Sequence, residues 1–563
     1  MLTNTVKNTC AAVLITLTFA IVAGRAVADS GHVTDRQLQQ GTRDTSGWYH
    51  YGGNYENWRF SPLARINRTN VAKLAPAWIF QTGVPGQMAN SPIVADGRLY
   101  VTSAYNHVWA LDARTGDPLW HYQYDLPADV RLCCGPANRG VAIHGKHVFM
   151  ATLDAHLVAL DRDSGKVVWE TEIDDYAKGF SATGAPLVVG DLVITGVAGG
   201  EYGARGYVDA YALATGERRW RRYVVPVAGE PGNDTWGGDS WKTGGGPTWA
   251  TGSYDPKLNL LLWPTGNPAP DWDGDARPGD NLYTNSVLAL NPQSGELVWY
   301  FQFTPHDVWD YDATNGLVVA DLELGGEPRR VVLQPNRNGY LYMLDATSGQ
   351  FLRGTQYVDR LNWSKGLTAA GRPIVDKDYL PLPGGNPRFV CPGVAGGHNG
   401  SFTYAFDGRT MFVPVIESCV KPETVPMEYT EGEPYWGGGP GATEGEDGSS
   451  YGIFVALDAA SGRILWRHED AHPFFGGALA TGGDLVFSGN QNGYALAFDA
   501  QSGEVLWKFQ TGSSIRSQPV TWEADGRQYV AIGSGSGGVV PSFMGTPEVI
   551  TTGSALVVFA LPQ

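Results

Sequence analysis

"ALDARTGDPLW" (110–120) decides the fold, because the pattern returns as "ALDRDSGKVVW" (159–169), "AYALATGERRW" (210–220), "ALNPQSGELVW" (289–299), "MLDATSGQFLR" (343–353), "ALDAASGRILW" (456–466) and "AFDAQSGEVLW" (497–507). Each copy reads as a short apolar strand, a polar turn closed by Thr-Gly or Ser-Gly, and a second strand opening near a Trp. That is a hairpin whose Gly takes the φ > 0 position. Most copies start about 40 to 55 residues apart, the length of one four-stranded propeller blade. The interval from 343 to 456 is twice that and predicts a degenerate blade around "FTYAFDGRTMFVPV" (402–415). The expected fold is therefore all-β, an eight-bladed β-propeller with Trp-docking repeats. The repeated Trp and Gly serve packing between blades, so chemistry belongs to the loops and strand ends that the repeat does not explain.

The bulk composition agrees with a large ordered core: 563 residues, 43% hydrophobic and 17% charged. A formal charge of -17 with no basic run excludes nucleic acid and an anionic membrane surface as partners. Residues 1–28 read as a secretory signal, with Lys7 at the positive end, "AAVLITLTFAIVAG" as the apolar stretch and Ala26-Val27-Ala28 as the cleavage site. The mature chain, 29–563, is expected to be one propeller domain in the periplasm, and no later segment is long and apolar enough for a bilayer. Without Cys10 four cysteines remain, Cys133, Cys134, Cys391 and Cys419, which an oxidising compartment would join as two disulfides with three possible pairings.

Several constellations stand outside the repeat. "RLCCGPANRG" places Cys133 beside Cys134; the adjacent pairing is favoured, since Cys391 and Cys419 flank a single candidate hairpin and suit each other. "GGGPTWATG" sets Trp249 among glycines, ordinarily a packing arrangement, but one that lets a flat ligand lie against the indole. "TPHDVWDYDATN" (304–315) carries Asp310 and Asp312 at i and i+2, which an extended segment would point to one face while Tyr311 turns away. Two convergent carboxylates call for a shared proton, a basic partner or a hard cation. Glu201 in "VAGGEYGARG" and Asn267 in "TGNPAP" complete an all-oxygen set suited to a large, hard ion, with no Cys or His pair nearby to suggest zinc.

Together with "YGGNYENWRFSPLARINRTNVAKLAPAWIFQTG", "RPGDN", "NRNGYLYMLD" and "CPGVAGGHN", these motifs closely resemble the quinoprotein alcohol dehydrogenases, the methanol and ethanol dehydrogenase family that uses pyrroloquinoline quinone (PQQ). The resemblance covers nearly all of the mature chain. It implies a quinone on the propeller axis between the Cys133–Cys134 ring and the Trp249 indole, hydrogen-bonded by Arg139, Thr183, Arg337 and Asn399, with Cys391–Cys419 as the second disulfide. It implies Asp310 as catalytic base, Arg337 as stabiliser of developing negative charge, and Glu201, Asn267, Asp310 and Asp312 as metal ligands. In this family a second Asp two places after the base goes with a lanthanide and a small residue with calcium, so Asp312 points to a lanthanide, with Ca2+ the alternative; a trivalent ion draws more from a third carboxylate than a divalent one does. Two positions depart from the family: Ala89 where many members have Glu, and Ala198 where some have Ser. Both remove hydrogen bonds to the cofactor's carboxylates.

The implied reaction is oxidation of a primary alcohol to an aldehyde by hydride transfer to the quinone. The sequence contains no C-x-x-C-H, hence no covalent haem of its own, and a separate soluble cytochrome c is the expected electron acceptor. Methanol, ethanol, larger primary and aromatic alcohols are all compatible substrates, as is a homodimer. The competing readings are a calcium quinoprotein acting on a polyol or sugar and a non-catalytic periplasmic propeller scaffold.

Overall fold

The computed structural model describes residues 1, 33–394, 397, 403–443, 450–536 and 553–563. The leader expected over 1–28 and the expected quinone ligand Asn399 lie outside the described residues. Eight blade sheets follow one another along the chain, as the repeat predicts: seven have four antiparallel strands, and the eighth gains a fifth where Phe60–Ser61 adds in parallel to Leu479–Thr481. In each of the seven repeat copies the two strands of the hairpin are the third and fourth of a blade, for example His107–Asp112 with Pro118–Gln123 and Tyr494–Asp499 with Val505–Gln510.

The eighth blade is not where the spacing placed it. "FTYAFDGRTMFVPV" supplies the first two strands, Ala405–Phe406 and Thr410–Glu417, of the blade whose outer hairpin is the 456–466 copy. The long interval is filled instead by connections, including the small hairpins Ser364–Leu367 with Pro373–Val375 and Glu423–Thr424 with Gly438–Gly439. The missing blade closes the ring: Val520–Ala524, Arg527–Gly535 and Ser554–Ala560 are joined by Ala75–Gln81 from the other end of the chain, in register from Ala75 opposite Ala560 to Gln81 opposite Ala555. Its hairpin is split between the two ends of the propeller, so no continuous copy of the motif could reveal it.

The repeat works through one contact. The turn glycines 116, 165, 216, 295, 349, 462 and 503 all have φ between 69° and 78°. At 116, 165, 216, 295, 349 and 503 a Cβ would lie 2.4 to 2.6 Å from the six-membered ring of a Trp in the preceding blade. The indoles of Trp120, Trp169, Trp220, Trp299, Trp466 and Trp507 donate to a main-chain carbonyl of the next blade. Gly thus permits both the turn and the face-on approach of the ring. At the one copy lacking Trp, Arg353 donates to the carbonyls of Ala459 and Ala460 beside Gly462. Between blades, buried Val, Leu, Ile and Phe of the middle strands form the core, each contributing about 1.5–3 kcal/mol by leaving water.

The antiparallel order has a consequence for the site. Turns between third and fourth strands share one end of the propeller with turns between first and second strands; loops joining second to third strands, and blade to blade, share the other. The repeat turns therefore occupy one end and leave the opposite end to sequence the repeat does not constrain.

Candidate active site

Every described residue singled out above lies on that second end. Cys133, Cys134 and Arg139 come from the loop joining the first blade to the second, Thr183 from the next blade junction and Trp249 from the one after it. Glu201, Asn267 and Arg337 lie in loops between second and third strands of three successive blades, and Asp310 and Asp312 in the junction between the last two. Both disulfides are present, Cys133–Cys134 and Cys391–Cys419. A Glu201 carboxylate oxygen and the two sulfurs of the adjacent pair lie within 4.8 Å of one another. Bonded sulfurs are not thiolate ligands, so this grouping is a disulfide seated on the Glu201 loop and not a sulfur metal site.

The Asp310–Asp312 segment is built by the third acid of the motif. The Asp307 carboxylate accepts from the main-chain N–H of Trp309 (2.9 Å) and of Tyr311 (2.7 Å), and from Asn285 Nδ2 (2.7 Å). This turn replaces the extended backbone expected from sequence: Asp310 has φ 59°, a left-handed conformation that Asp tolerates better than most residues. The alternation survives nevertheless. Tyr311 turns inward, its hydroxyl donating to Pro392 O at 2.6 Å. Asp310 Oδ1 and Asp312 Oδ2 both face Arg337 Nη1, at 3.5 and 3.2 Å.

Asp312 is held on three sides and is 5% exposed. Its Oδ1 accepts from the Asn267 main-chain N–H at 2.9 Å and its Oδ2 from Trp249 Nε1 at 3.3 Å and Arg337 Nη1. Gly266 is required for that approach, since a Cβ there would lie 2.1 Å from Asp312 Oδ1. Arg337 is itself fixed through Nε to Val394 O. Arg139 lies over the Trp249 ring at 4.5 Å, and Thr183 O accepts from its main-chain N–H (3.1 Å) and guanidinium (3.4 Å).

The electrostatics show an excess of anions. Burial pushes the Glu201 carboxyl up to about 7, with Asp312 adding to the shift. Asp310 is driven well above the usual carboxylate range by burial, against the pull of Arg337 and with Asp312, Asp307 and Glu201 adding repulsion; Asp312 is raised by burial too. The Asn267 side chain, 1% exposed, has neither Oδ1 nor Nδ2 hydrogen-bonded among the described residues. A buried amide without partners is costly. Asp310 and Asp312 on one guanidinium, Asn267 with its orphaned amide bonded through its N–H to Asp312, and Glu201 within reach of the charge of Asp312 make a donor set that fits a hard cation held by oxygen.

Sequence reading missed Asp271, four residues after Asn267 and 4% exposed: burial pushes its carboxyl well above the usual carboxylate range, with Asp310 and Glu201 adding repulsion and Arg277 opposing it; the sequence signal was its place in the Asn267 loop. The long insertion after Cys419, whose length and glycines in the sequence suggest the rim of the pocket, does reach the site. Tyr435 N–H donates to Glu201 O (2.7 Å), Trp272 N–H to Trp436 O (3.0 Å) and Thr424 Oγ1 to Trp272 O (3.0 Å), and Arg131 pairs with Glu433.

Comparison with known proteins shows the family. Residues 48–358 and 470–530 match the PQQ family described as glucose/ethanol/alcohol dehydrogenase, beta-propeller domain. The quinoprotein alcohol dehydrogenase PedH of Pseudomonas putida is 40% identical over 592 residues, spanning 100% of this chain and 98% of that protein. A lanthanide-dependent methanol dehydrogenase of Methylacidiphilum fumariolicum is 35% identical, over 91% of this chain and 92% of its own. Among solved structures, a europium-containing methanol dehydrogenase superposes with a TM-score of 0.88 at 35% identity, covering 94% of this chain and 100% of that one. The architecture is that of a PQQ β-propeller. The chain belongs to the quinoprotein alcohol dehydrogenases, enzymes that oxidise alcohols with PQQ.

Proposed function

We propose that this enzyme oxidises a primary alcohol to an aldehyde in the periplasm with a lanthanide in its site, held by Glu201, Asn267, Asp310 and Asp312. The observation that carries the reading is the approach of Asp310 and Asp312 to one guanidinium beside the orphaned Asn267 amide. When bound, the quinone supplies the hydride acceptor and the ion a Lewis acid. Asp310 takes the proton of the substrate hydroxyl, its carboxylate set beside Asp312 on Arg337 Nη1. Arg337 Nη1, within reach of both acids, stabilises negative charge developing beside them. The Cys133–Cys134 ring and Trp249 would form the two faces for the quinone and Arg139, Thr183 and Arg337 would bond its edge, with Asn399, outside the described residues, as the fourth expected partner. A signal over 1–28 exports the chain, 29–563 folds as one domain, and a soluble cytochrome c takes the electrons, as the sequence has no C-x-x-C-H of its own.

Reconstitution tests this. Metal-free protein given PQQ and either La3+ or Ca2+ is expected to oxidise primary alcohols with La3+ and hardly at all with Ca2+, and Asp312→Ala should abolish the La3+ activity. Equal or better activity with Ca2+ on a polyol would establish the calcium reading. Failure to bind quinone would leave a scaffold.

A further inference from the structure

We propose that Tyr311 is a positioning residue of the reaction: its hydroxyl ties the turn carrying Asp310 and Asp312 to the Cys391–Val394 segment, which also holds Arg337, and so fixes where the two carboxylates meet the guanidinium. The inference rests on the roles of Asp310 and Arg337 given above and holds for either metal.

Tyr311 lies between the two acids and is fully buried. Its hydroxyl donates to Pro392 O at 2.6 Å. Two residues further along, Val394 O accepts from Arg337 Nε. The acid side and the guanidinium side of the contact therefore end on nearby carbonyls of one short segment, while Arg337 Nη1 closes the circuit at 3.5 Å from Asp310 Oδ1 and 3.2 Å from Asp312 Oδ2. A shift at any of these bonds is felt by the others.

The segment is held from two flanks. On one, Cys391 is bonded to Cys419, Gly393 N–H donates to Ser418 O (2.7 Å), and Val390 and Val420 exchange main-chain bonds (2.7 and 3.0 Å). On the other, Cys391 N–H donates to Asn362 Oδ1 (2.8 Å) and Asn362 N–H to Cys391 O (3.0 Å). The Tyr311 ring has supports of its own, Trp363 crossing it at 5.2 Å and Trp309 stacking at 5.7 Å. Those indoles donate to Asn338 O, beside Arg337, and to Tyr379 O, each at 2.9 Å. A phenyl ring at 311 would keep this packing and lose only the link to Pro392, leaving that buried carbonyl short of a partner. Base and guanidinium serve one bound alcohol, and a misplacement of about 1 Å between such groups costs up to about a hundredfold in rate.

The test uses the full chain reconstituted with PQQ and La3+ or Ca2+, whichever supports turnover, oxidising ethanol and 1,1-dideuterated ethanol with a dye as acceptor. Tyr311→Phe is expected to lower kcat by about ten- to a hundredfold, with KM changed less than about threefold, PQQ affinity unchanged and the isotope effect on kcat no smaller than in wild type. Cys391→Ser with Cys419→Ser, which cuts the segment's staple, should act on kcat in the same direction and add less than its own factor when combined with Tyr311→Phe. If the cysteine variant does not fold, Tyr311→Phe decides alone. A kcat within about twofold of wild type in Tyr311→Phe, a smaller isotope effect, or a loss accounted for by weaker PQQ binding overturns the inference. Full turnover in Asp310→Asn would instead remove the base, and with it the reading of the previous section, so the two failures are distinguishable.

Discussion

At the scale of single residues, the site is made by groups that would be unfavourable anywhere else. Asp312 needs an empty space at Gly266 to reach the Asn267 N–H. Gly266→Ala should therefore displace that carboxylate and weaken metal binding at least tenfold, measurable by titrating Eu3+ luminescence, while the melting temperature of the metal-free protein falls less than after a core truncation. A second buried acid, Glu417, accepts from Asp359 N–H at 2.7 Å and lies 3.7 Å from Arg360, yet burial outweighs the guanidinium and pushes its carboxyl up to about 7. The folded protein thus holds a proton that the unfolded chain releases near 4.5. The associated stability is full below that value and is lost as pH rises through about 7. Glu417→Gln, which keeps an acceptor for Asp359, should flatten this decline and exceed wild type by about 2 kcal/mol at pH 8. Thermal unfolding at pH 5 and pH 8 checks it.

At the scale of elements, the hairpin with its Trp and Gly is the unit of assembly, because each indole covers the turn of the next blade. Gly349 combines φ 72° with a Cβ position 2.4 Å from Trp299 Cε3. Gly349→Ala should cost about 1–3 kcal/mol, from backbone strain and overpacking together, read as a lower melting temperature with the site's metal affinity unchanged. Arg353 shows that the position asks for a flat donor rather than for Trp itself: it reaches the same carbonyls that an indole would address with one N–H.

At the scale of the whole molecule, the ring is closed by pairing Ser554–Ala560 with Ala75–Gln81. Deleting residues 554–563 would leave two unpaired edges, on Ala75–Gln81 and Arg527–Gly535, and open the ring. Loss of the cooperative unfolding transition and aggregation on size exclusion are the expected results. The buried Arg59 guanidinium bridges the same region, donating to Ala478 O (3.1 Å) and Pro519 O (2.8 Å) and so tying the N-terminal arm to the last two blades. The charge of -17 acts at this scale also. If a basic cytochrome is the acceptor, its reduction rate should fall steeply as ionic strength rises, and a rate indifferent to salt would remove electrostatic steering from the account.

The sequence by itself determined the propeller and pointed to the loops outside its repeat; its count of eight blades holds, although the blade added to the seven copies was put in the 343–456 interval, which the structure fills with connections. Those follow from a local hairpin repeated seven times, and a short-range pattern is printed in the chain. It also brought Glu201, Asn267, Asp310 and Asp312 forward as one oxygen-rich set, because each sits in a loop the repeat does not require. Only the tertiary structure decided where the last blade lies, since its hairpin is formed by residues some 480 positions apart, an arrangement with no local signature. It alone revealed that Asp310 is left-handed on a turn built by Asp307, and that Asp271 is buried in the Asn267 loop with its Oδ1 unbonded among the described residues. Burial and charge coupling belong to the assembled pocket, where groups from separate blades meet out of water, and no linear pattern records which carboxylates will share it.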